Sequence, residues 1–520
     1  MRMDKGLLKH RIPAVLTVIL SCALAALGEV TFDYSAGMTL NAGGGEFAPY
    51  YMASMRGGTV TQPYSALLSA ELSHKMDTTK RFSWGCGAEV WGGYSSSTEY
   101  DLYDATADVW LKNKQHPPRV WLEQLYGELK WRGVFLTLGI KRYGSYIISD
   151  DLSSGDLIRS SNARPAPGMS VGFVNYQTVP FTKGWLQVIG EVSYYKMNDS
   201  RWLENHFNHY NRFITTGTWL HYKSIYFRTN PLKPFVFTIG TQAACQFGGL
   251  NKTYVNGRVT EEIKMNVTMK TFFRTIIAGR GGKNPGDVFV EGNHLGTIDV
   301  SMEYRFKNGS RIRGYYQSPW EDGSGMLQAN GVDGLWGVEY RSAKPALVRG
   351  AVVEFISLLN QSGPLHFNAN DYGGSPIVGK ATGCDDYYNN YCYNGYAAFG
   401  MSLGSPFVRS PLYNTDGYIA FTDNLVRGFH VGLAGDFTGE VGYKAMLSYR
   451  KSWGTPFVPR LRAVHNTSAM IEARYAPRRV PGLQIAISAA LDRGDLYGDN
   501  TGAMLTVNYS GNFTVKSGKR

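Results

Sequence analysis

From Ala503 to Phe513 the chain alternates apolar and polar residues. Ala503, Leu505, Val507, Tyr509 and Phe513 fall on one side of an extended backbone, and Met504, Thr506, Asn508, Ser510 and Asn512 fall on the other. Successive side chains of a strand point to opposite faces, so the stretch predicts one strand with an apolar face and a wetter one. About ten residues is the length of a tilted strand crossing an outer-membrane bilayer, whereas strands of soluble sheets run nearer five or six. The pattern recurs. Tyr64, Ala66, Leu68, Ala70 and Leu72 interleave with Ser65, Ser69, Glu71 and Ser73; Leu186, Val188, Gly190, Val192 and Tyr194 with Gln187, Glu191 and Ser193; Tyr443, Ala445, Leu447 and Tyr449 with Lys444, Ser448 and Arg450; Leu483, Ile485, Ile487, Ala489 and Leu491 with Gln484 and Ser488. The charged residues Glu71, Glu191, Lys444 and Arg450 keep to the polar face, as the interior of a membrane barrel requires.

No run of eighteen uninterrupted apolar residues exists; the best rival beyond the N-terminal segment, residues 346–359, carries Arg349 and Glu354. Helical spans are therefore excluded, and in lipid the remaining way to satisfy every backbone group is a closed barrel. The sequence predicts an all-β fold, a large antiparallel transmembrane β-barrel with long extracellular loops. Sixty-one glycines and 34 tyrosines beside an ordinary hydrophobic content of 43% fit strands that half face a polar lumen, with tyrosines at the membrane interfaces.

Residues 1–28 read as a secretory signal peptide. Arg2, Lys5, Lys9 and Arg11 precede the apolar run 13–26, and Ala26 and Gly28 are small enough for cleavage before Glu29. Cys22 follows Ile-Leu-Ser, a loose match to a lipoprotein site, but the apolar run continues past it. The expected organisation is signal peptide 1–28, barrel 29–513 and a short basic tail 514–520. A barrel of that length accommodates roughly 16–18 strands. Loss of 1–28 lowers the formal charge from +12 to +9, since Asp4 leaves with the four basic residues. Such an excess suits acidic glycans or lipopolysaccharide phosphates, and equally suits scattered loop and lumen residues. No cluster of lysines and arginines points to nucleic acid.

Long connections are expected at 95–118, 142–168, 196–217, 247–289, 360–394 and 403–427, assigned to the outside, against short turns such as Lys130–Gly133. Phe272, Phe273, Ile276 and Ile277 suit one face of a short helix ending at Gly279, read either as a small plug or lid or as an ordinary loop helix. Cys384 and Cys392 bracket a short polar loop and are candidates for a disulfide; Cys86 and Cys245 lie in separate strand-like runs.

Several connections carry distinctive strings: Asp151-Leu-Ser-Ser-Gly-Asp156, Ser161-Asn-Ala-Arg-Pro-Ala-Pro167, Val179-Pro-Phe-Thr-Lys-Gly-Trp-Leu-Gln-Val188, His221-Tyr-Lys-Ser224, Gly331-Val-Asp-Gly-Leu-Trp-Gly337, Asn360-Gln-Ser-Gly-Pro364, Asp385-Asp-Tyr-Tyr-Asn-Asn390, Ser410-Pro-Leu-Tyr-Asn414 and Trp453-Gly-Thr455. In this order they resemble the Wzi family of capsule-assembly outer-membrane proteins, in the form found in Bacteroidetes. The resemblance implies a lectin-like barrel in the outer membrane of a Gram-negative cell, without enzymatic activity or cofactor. Its implied partners are capsular or extracellular polysaccharide, outer-membrane lipid and lipopolysaccharide, and the barrel insertion machinery. The alternative from the strand pattern is a porin or a polymer or lipid channel.

Sugars are bound by planar polar groups and by aromatic faces stacked on their C–H surfaces. Asp385, Asp386, Tyr387, Tyr388, Asn389 and Asn390 offer both within six residues, with calcium binding or packing alone as alternatives. Asn360, Gln361 and His366 form a second candidate cluster, and Asp156, Asn162 and Arg164 a third. Arg164, stiffened by Pro165 and Pro167, suits a glycan carboxylate or a salt bridge to the barrel wall. Trp185, Trp336 and Trp453 are expected in an interfacial girdle. No Gly-x-Ser-x-Gly or His-Glu-x-x-His string appears, and His206 and His209 lack an obvious third metal ligand.

Overall fold

The computed structural model describes residues 29–281, 284, 290–363, 366–367, 381–382 and 384–515; the segment 1–28 read as a signal peptide and most of the basic tail lie outside them. Eighteen strands close into one antiparallel barrel, each pairing with its neighbours along the chain. Closure is made by the first strand, Val30–Gly44, and the last, Thr501–Val515, in register from Val30↔Val515 to Gly44↔Thr501. The last strand thus runs two residues past Phe513. Short turns, such as the two residues between Val120–Trp131 and Val134–Ile140, lie at the end holding Val30 and Val515. The described parts of the six predicted long segments leave the wall at the opposite end, the mouth, and 360–394 and 403–427 belong to a single connection between Gly350–Ser357 and Val426–Asp436. Among the described residues no helix is long and apolar enough to cross a membrane.

The period-2 reading holds strand by strand. In the last strand Met504 is buried inside, whereas Ala503, Tyr509 and Phe513 face outward and exposed. Two belts of outward aromatics result. Phe82, Trp131, Phe235, Tyr304, Tyr475 and Phe513 ring the closed-turn end, and Tyr94, Trp336, Phe429 and Tyr449 stand toward the mouth. Trp185 also faces out beside the first belt. This is the arrangement of rings that prefer the headgroup level.

The lumen is filled. Residues 45–63, 141–167 and 384–425 fold back into it and pack on the wall. In the first, the short buried helix Tyr50–Ala53 packs over Leu67, Met470, Ala490 and Met504, with its Tyr50 amide donating to Asp492 at 2.9 Å. In the second, Ile147, Leu157 and Ile158 pack on the inward rings of Tyr222, Tyr226 and Tyr315. A Cβ at wall residue Gly432 would lie 2.3 Å from the Leu152 carbonyl, so glycine is what lets the two backbones meet there. Arg450, predicted on the polar face, is wholly buried in the lumen, its guanidinium 3.9 Å from the Tyr50 ring centre and 4.4 Å from that of Phe407.

The expected helix is present as Met269–Ile277, capped at its start by Thr268. It is not a plug. Phe272 packs on Tyr194, Trp219 and Phe247, and these face outward, opposite in parity to the inward Glu191, Tyr222 and Gln242. The helix therefore lies against the outside of the barrel.

Candidate functional site

Of the three candidate clusters, the structure sets Asp156, Asn162, Arg164 and most of the run 385–390 within the plug, with Gln361 buried beside them. Asp156 is fully buried and accepts from the amides of Ile158 (2.8 Å) and Arg159 (3.0 Å) and from the side chains of Gln242 and Gln317 (2.9 Å each) on the wall. Asn162 donates to the Ser402 carbonyl at 3.0 Å and accepts from the Met55 amide at 3.2 Å. Arg164 ties its segment to the wall, as one of the two readings held. It pairs with Glu123 at 3.7 Å and lies over the rings of Trp121 and Phe399.

The run 385–390 is likewise committed inward. Asp385 accepts from the Ser362 hydroxyl at 2.6 Å, and the Asp386 and Tyr388 amides donate to Glu321 at 3.1 and 3.0 Å. Tyr387 is reached by the Asn330 amide nitrogen at 3.3 Å, and the Tyr388 hydroxyl donates to the Leu157 carbonyl. Asn389 donates to the Phe421 carbonyl at 2.8 Å, and Asn390 to the Asn293 side chain at 3.0 Å. Burial pushes Glu321 up, with Asp385 and Asp386 adding to it, and Asp385 itself is pushed up to about 7. Gln361 is buried and donates to the carbonyls of Leu358 and Asn424, while Asn360 is exposed. His366 lies in a short strand, His366–Phe367, paired with Ala381–Thr382.

No disulfide joins Cys384 to Cys392, the candidate pair. The Cys392 sulfur is buried 3.7 Å from that of Met265 in the loop 248–292, and Cys384 is held by its amide at the Gly363 carbonyl. Among the described residues no group of three His, Cys, Asp or Glu side chains is placed to hold a metal ion.

An aromatic cluster that the strings did not single out stands at the mouth, with Trp110 exposed and Tyr103 and Tyr210 half-buried. The hairpin Thr98–Asp104 and Val109–Gln115 places Tyr103 opposite Trp110, and Tyr210 completes the group. Ring centres are 5.4 Å apart for Tyr103–Trp110, 4.6 Å for Tyr103–Tyr210 and 4.8 Å for Trp110–Tyr210. Trp110 is 49% exposed. The hairpin is anchored along its first strand, where the Asp101 and Tyr103 amides donate to the Thr415 and Asn208 carbonyls. Alternation across 98–115 was the available signal; Tyr210, far along the chain, carried none.

Below the plug, a cavity of about 360 Å³ opens toward the closed-turn end, lined by Tyr143, Tyr146, Arg159, Glu191 and Tyr195 among others. The Tyr146 hydroxyl donates to Glu191 at 2.8 Å, and Arg159 pairs with the same carboxylate.

The fold is that of an outer-membrane β-barrel. No protein-family model and no curated protein matches the chain. Among solved structures it is similar to Wzi of Escherichia coli, described as an outer-membrane protein involved in group 1 capsule assembly and a carbohydrate-binding β-barrel. The two are 13% identical with a TM-score of 0.55, over 95% of this chain and 87% of that one. Acinetobacter baumannii OccAB2 is 8% identical with a TM-score of 0.46, over 93% and 98%. At these identities the likeness concerns the fold.

Proposed function

We propose that this chain is a non-enzymatic surface lectin of a Gram-negative outer membrane, which holds capsular or extracellular polysaccharide at the mouth of a sealed barrel. The observation that carries the reading is the Tyr103–Trp110–Tyr210 cluster, standing on a scaffold whose lumen is filled. The exposed Trp110 ring, backed by the half-buried and tilted rings of Tyr103 and Tyr210, suits the C–H face of a sugar ring, and a hairpin pinned along its first strand loses little freedom on binding. The description of the similar E. coli barrel as carbohydrate-binding supports the same class of ligand. The predicted loop residues act in this scheme by setting the frame beneath the hairpin.

The test is binding of purified capsular polysaccharide to the detergent-solubilised protein. Trp110→Ala should weaken it by about tenfold, equivalent to about 1.4 kcal/mol. Cells lacking the protein should make polymer and shed it. If such cells keep a full capsule and the protein binds no glycan, the reading fails. The cavities of about 360 and 350 Å³ at the closed-turn end favour a second reading, a channel. Steady conductance in planar bilayers would select it, and a silent barrel would not.

A further inference from the structure

The barrel wall carries an anomaly beneath the helix Met269–Ile277. On the outward face, where neighbouring strands present apolar side chains to lipid, His221, Cys245 and His294 stand side by side in register, with Lys223 one outward step from His221. The two histidines and Lys223 would be costly in contact with acyl chains. The helix and Glu291 cover them, the Glu291 carbonyl lying 3.5 Å from the Cys245 sulfur and 3.0 Å from His294 Nε2. His221 and Cys245 are wholly buried, and the Lys223 ammonium donates to the Thr275 carbonyl at 3.3 Å and to the Ile276 carbonyl, capping the C-terminal end of the helix. The Tyr194 hydroxyl donates to the Phe272 carbonyl at 2.6 Å. The helix is thus fastened to the wall through one side.

Its other side is bare. Met269, Phe273 and Ile277, each four residues from the next, are 72, 66 and 75% exposed. They form one apolar stripe, and the basic Lys270 and Arg274 lie beside it. The stripe is continuous with the outward face of the wall below, where Ile225 and Ile239 are exposed on the strands Trp219–Thr229 and Phe235–Phe247.

We propose that Met269–Ile277 is an interfacial anchor that lies in the outer leaflet of the membrane. Acyl chains cover Met269, Phe273 and Ile277, and anionic headgroup phosphates meet Lys270. Three observations select a lipid leaflet as the occupant. The apolar stripe extends the lipid-facing band of the barrel. Lys270 is exposed on the flank of the stripe, where a helix in the headgroup plane requires a cation, while Arg274 pairs with Glu291 at 3.1 Å. The polar wall residues that lipid would not tolerate are covered by the same helix and by Glu291.

The experiment places a nitroxide side chain at Phe273→Cys, Ile277→Cys or Lys270→Cys, in a background with Cys86 and Cys384 changed to Ser, reconstituted in vesicles of phosphatidylethanolamine and phosphatidylglycerol. Collision with oxygen should exceed collision with a water-soluble nickel chelate at 273 and 277, and the order should reverse at 270. Nickel access at all three sites, meaning a helix in water, would overturn the proposal. So would protection from both reagents at 273 and 277, meaning a protein contact or a second copy. Heat-modifiable electrophoretic migration verifies that each variant is a closed barrel. The unaltered chain provides an independent measurement: lipids with photoreactive acyl chains should crosslink to peptide 269–277, and absence of adducts there, with adducts elsewhere on the barrel, would count against the anchor.

Discussion

Asp156 shows how much of this molecule depends on single buried acceptors. Its carboxylate takes hydrogen bonds from two amides of its own segment and from two glutamines on separate strands, besides the Ser145 hydroxyl. Asp156→Ala leaves those donors unpaired in a site without room for bulk water, at about 1–3 kcal/mol for each that stays unmet. The expected outcome is a barrel that still closes but holds its plug loosely. It would be read as intermittent conductance in planar bilayers where the unaltered protein is silent, and an equally silent variant would contradict it. Asp156 was visible in the sequence as part of a polar cluster. Its partners were not, because Gln242 and Gln317 lie 86 and 161 residues away and alternate like any lumen residue. The same holds for Arg164, whose stiff Pro-flanked setting was legible but whose Glu123 counter-charge was not.

At the scale of elements, the segment 384–425 carries a pH dependence of its own. Burial raises Asp385 above its ordinary 3.8 to about 7; the Ser362 hydroxyl offsets part of this, and Asp322 and Asp333 raise it further. A carboxyl raised in the folded state stabilises its packing fully below about pH 4, and that contribution is lost as the pH passes 7. Amide exchange across 385–396, corrected for the intrinsic rate, should therefore be slower at pH 5 than at pH 8. Asp385→Asn should flatten the difference; an unchanged difference in that variant would exclude Asp385 as its source. The sequence reading of this run leaves sugar contact, calcium binding and packing alone open, and the structure buries Asp385, Tyr387, Tyr388 and Asn389. Adjacent acids, tyrosines and asparagines look alike whether they meet a sugar or each other. The short helix 269–277 was legible but its place was not, because periodicity reports an apolar face without saying whether lumen, water or lipid lies against it.

For the whole molecule, the barrel itself was the legible part. Period-2 alternation is local, and closure follows from the membrane's refusal of unpaired strand edges. The strand count, fixed at eighteen, depended on short strands such as Gly168–Phe173 that alternation alone delimits poorly. The closing ladder ends at Val30↔Val515, and Phe513 stacks on Phe32 with ring centres 5.7 Å apart. A chain ending at Val515 should therefore assemble like the full one. A chain ending at Gly511 loses the Phe513 stack and the last ladder pairs, and should give a clearly smaller heat-modifiable fraction. Full assembly of that shorter chain would show that the seam does not depend on its end.

The plug also has a mechanical consequence. A hollow closed sheet deforms easily from circular to oval, because that bending breaks none of its ladder bonds. Here the wall is braced from within at points spread round its circumference: Glu123 by Arg164, Gln242 and Gln317 by Asp156, Glu354 by the Ser154 amide at 2.7 Å, His430 by the Leu152 carbonyl at 2.7 Å, and Asp492 by the Tyr50 amide. Such internal struts hold the cross-section to one shape, so the hairpin at the mouth stands on a rigid rim, and a tug on whatever it grips is shared by the whole cylinder.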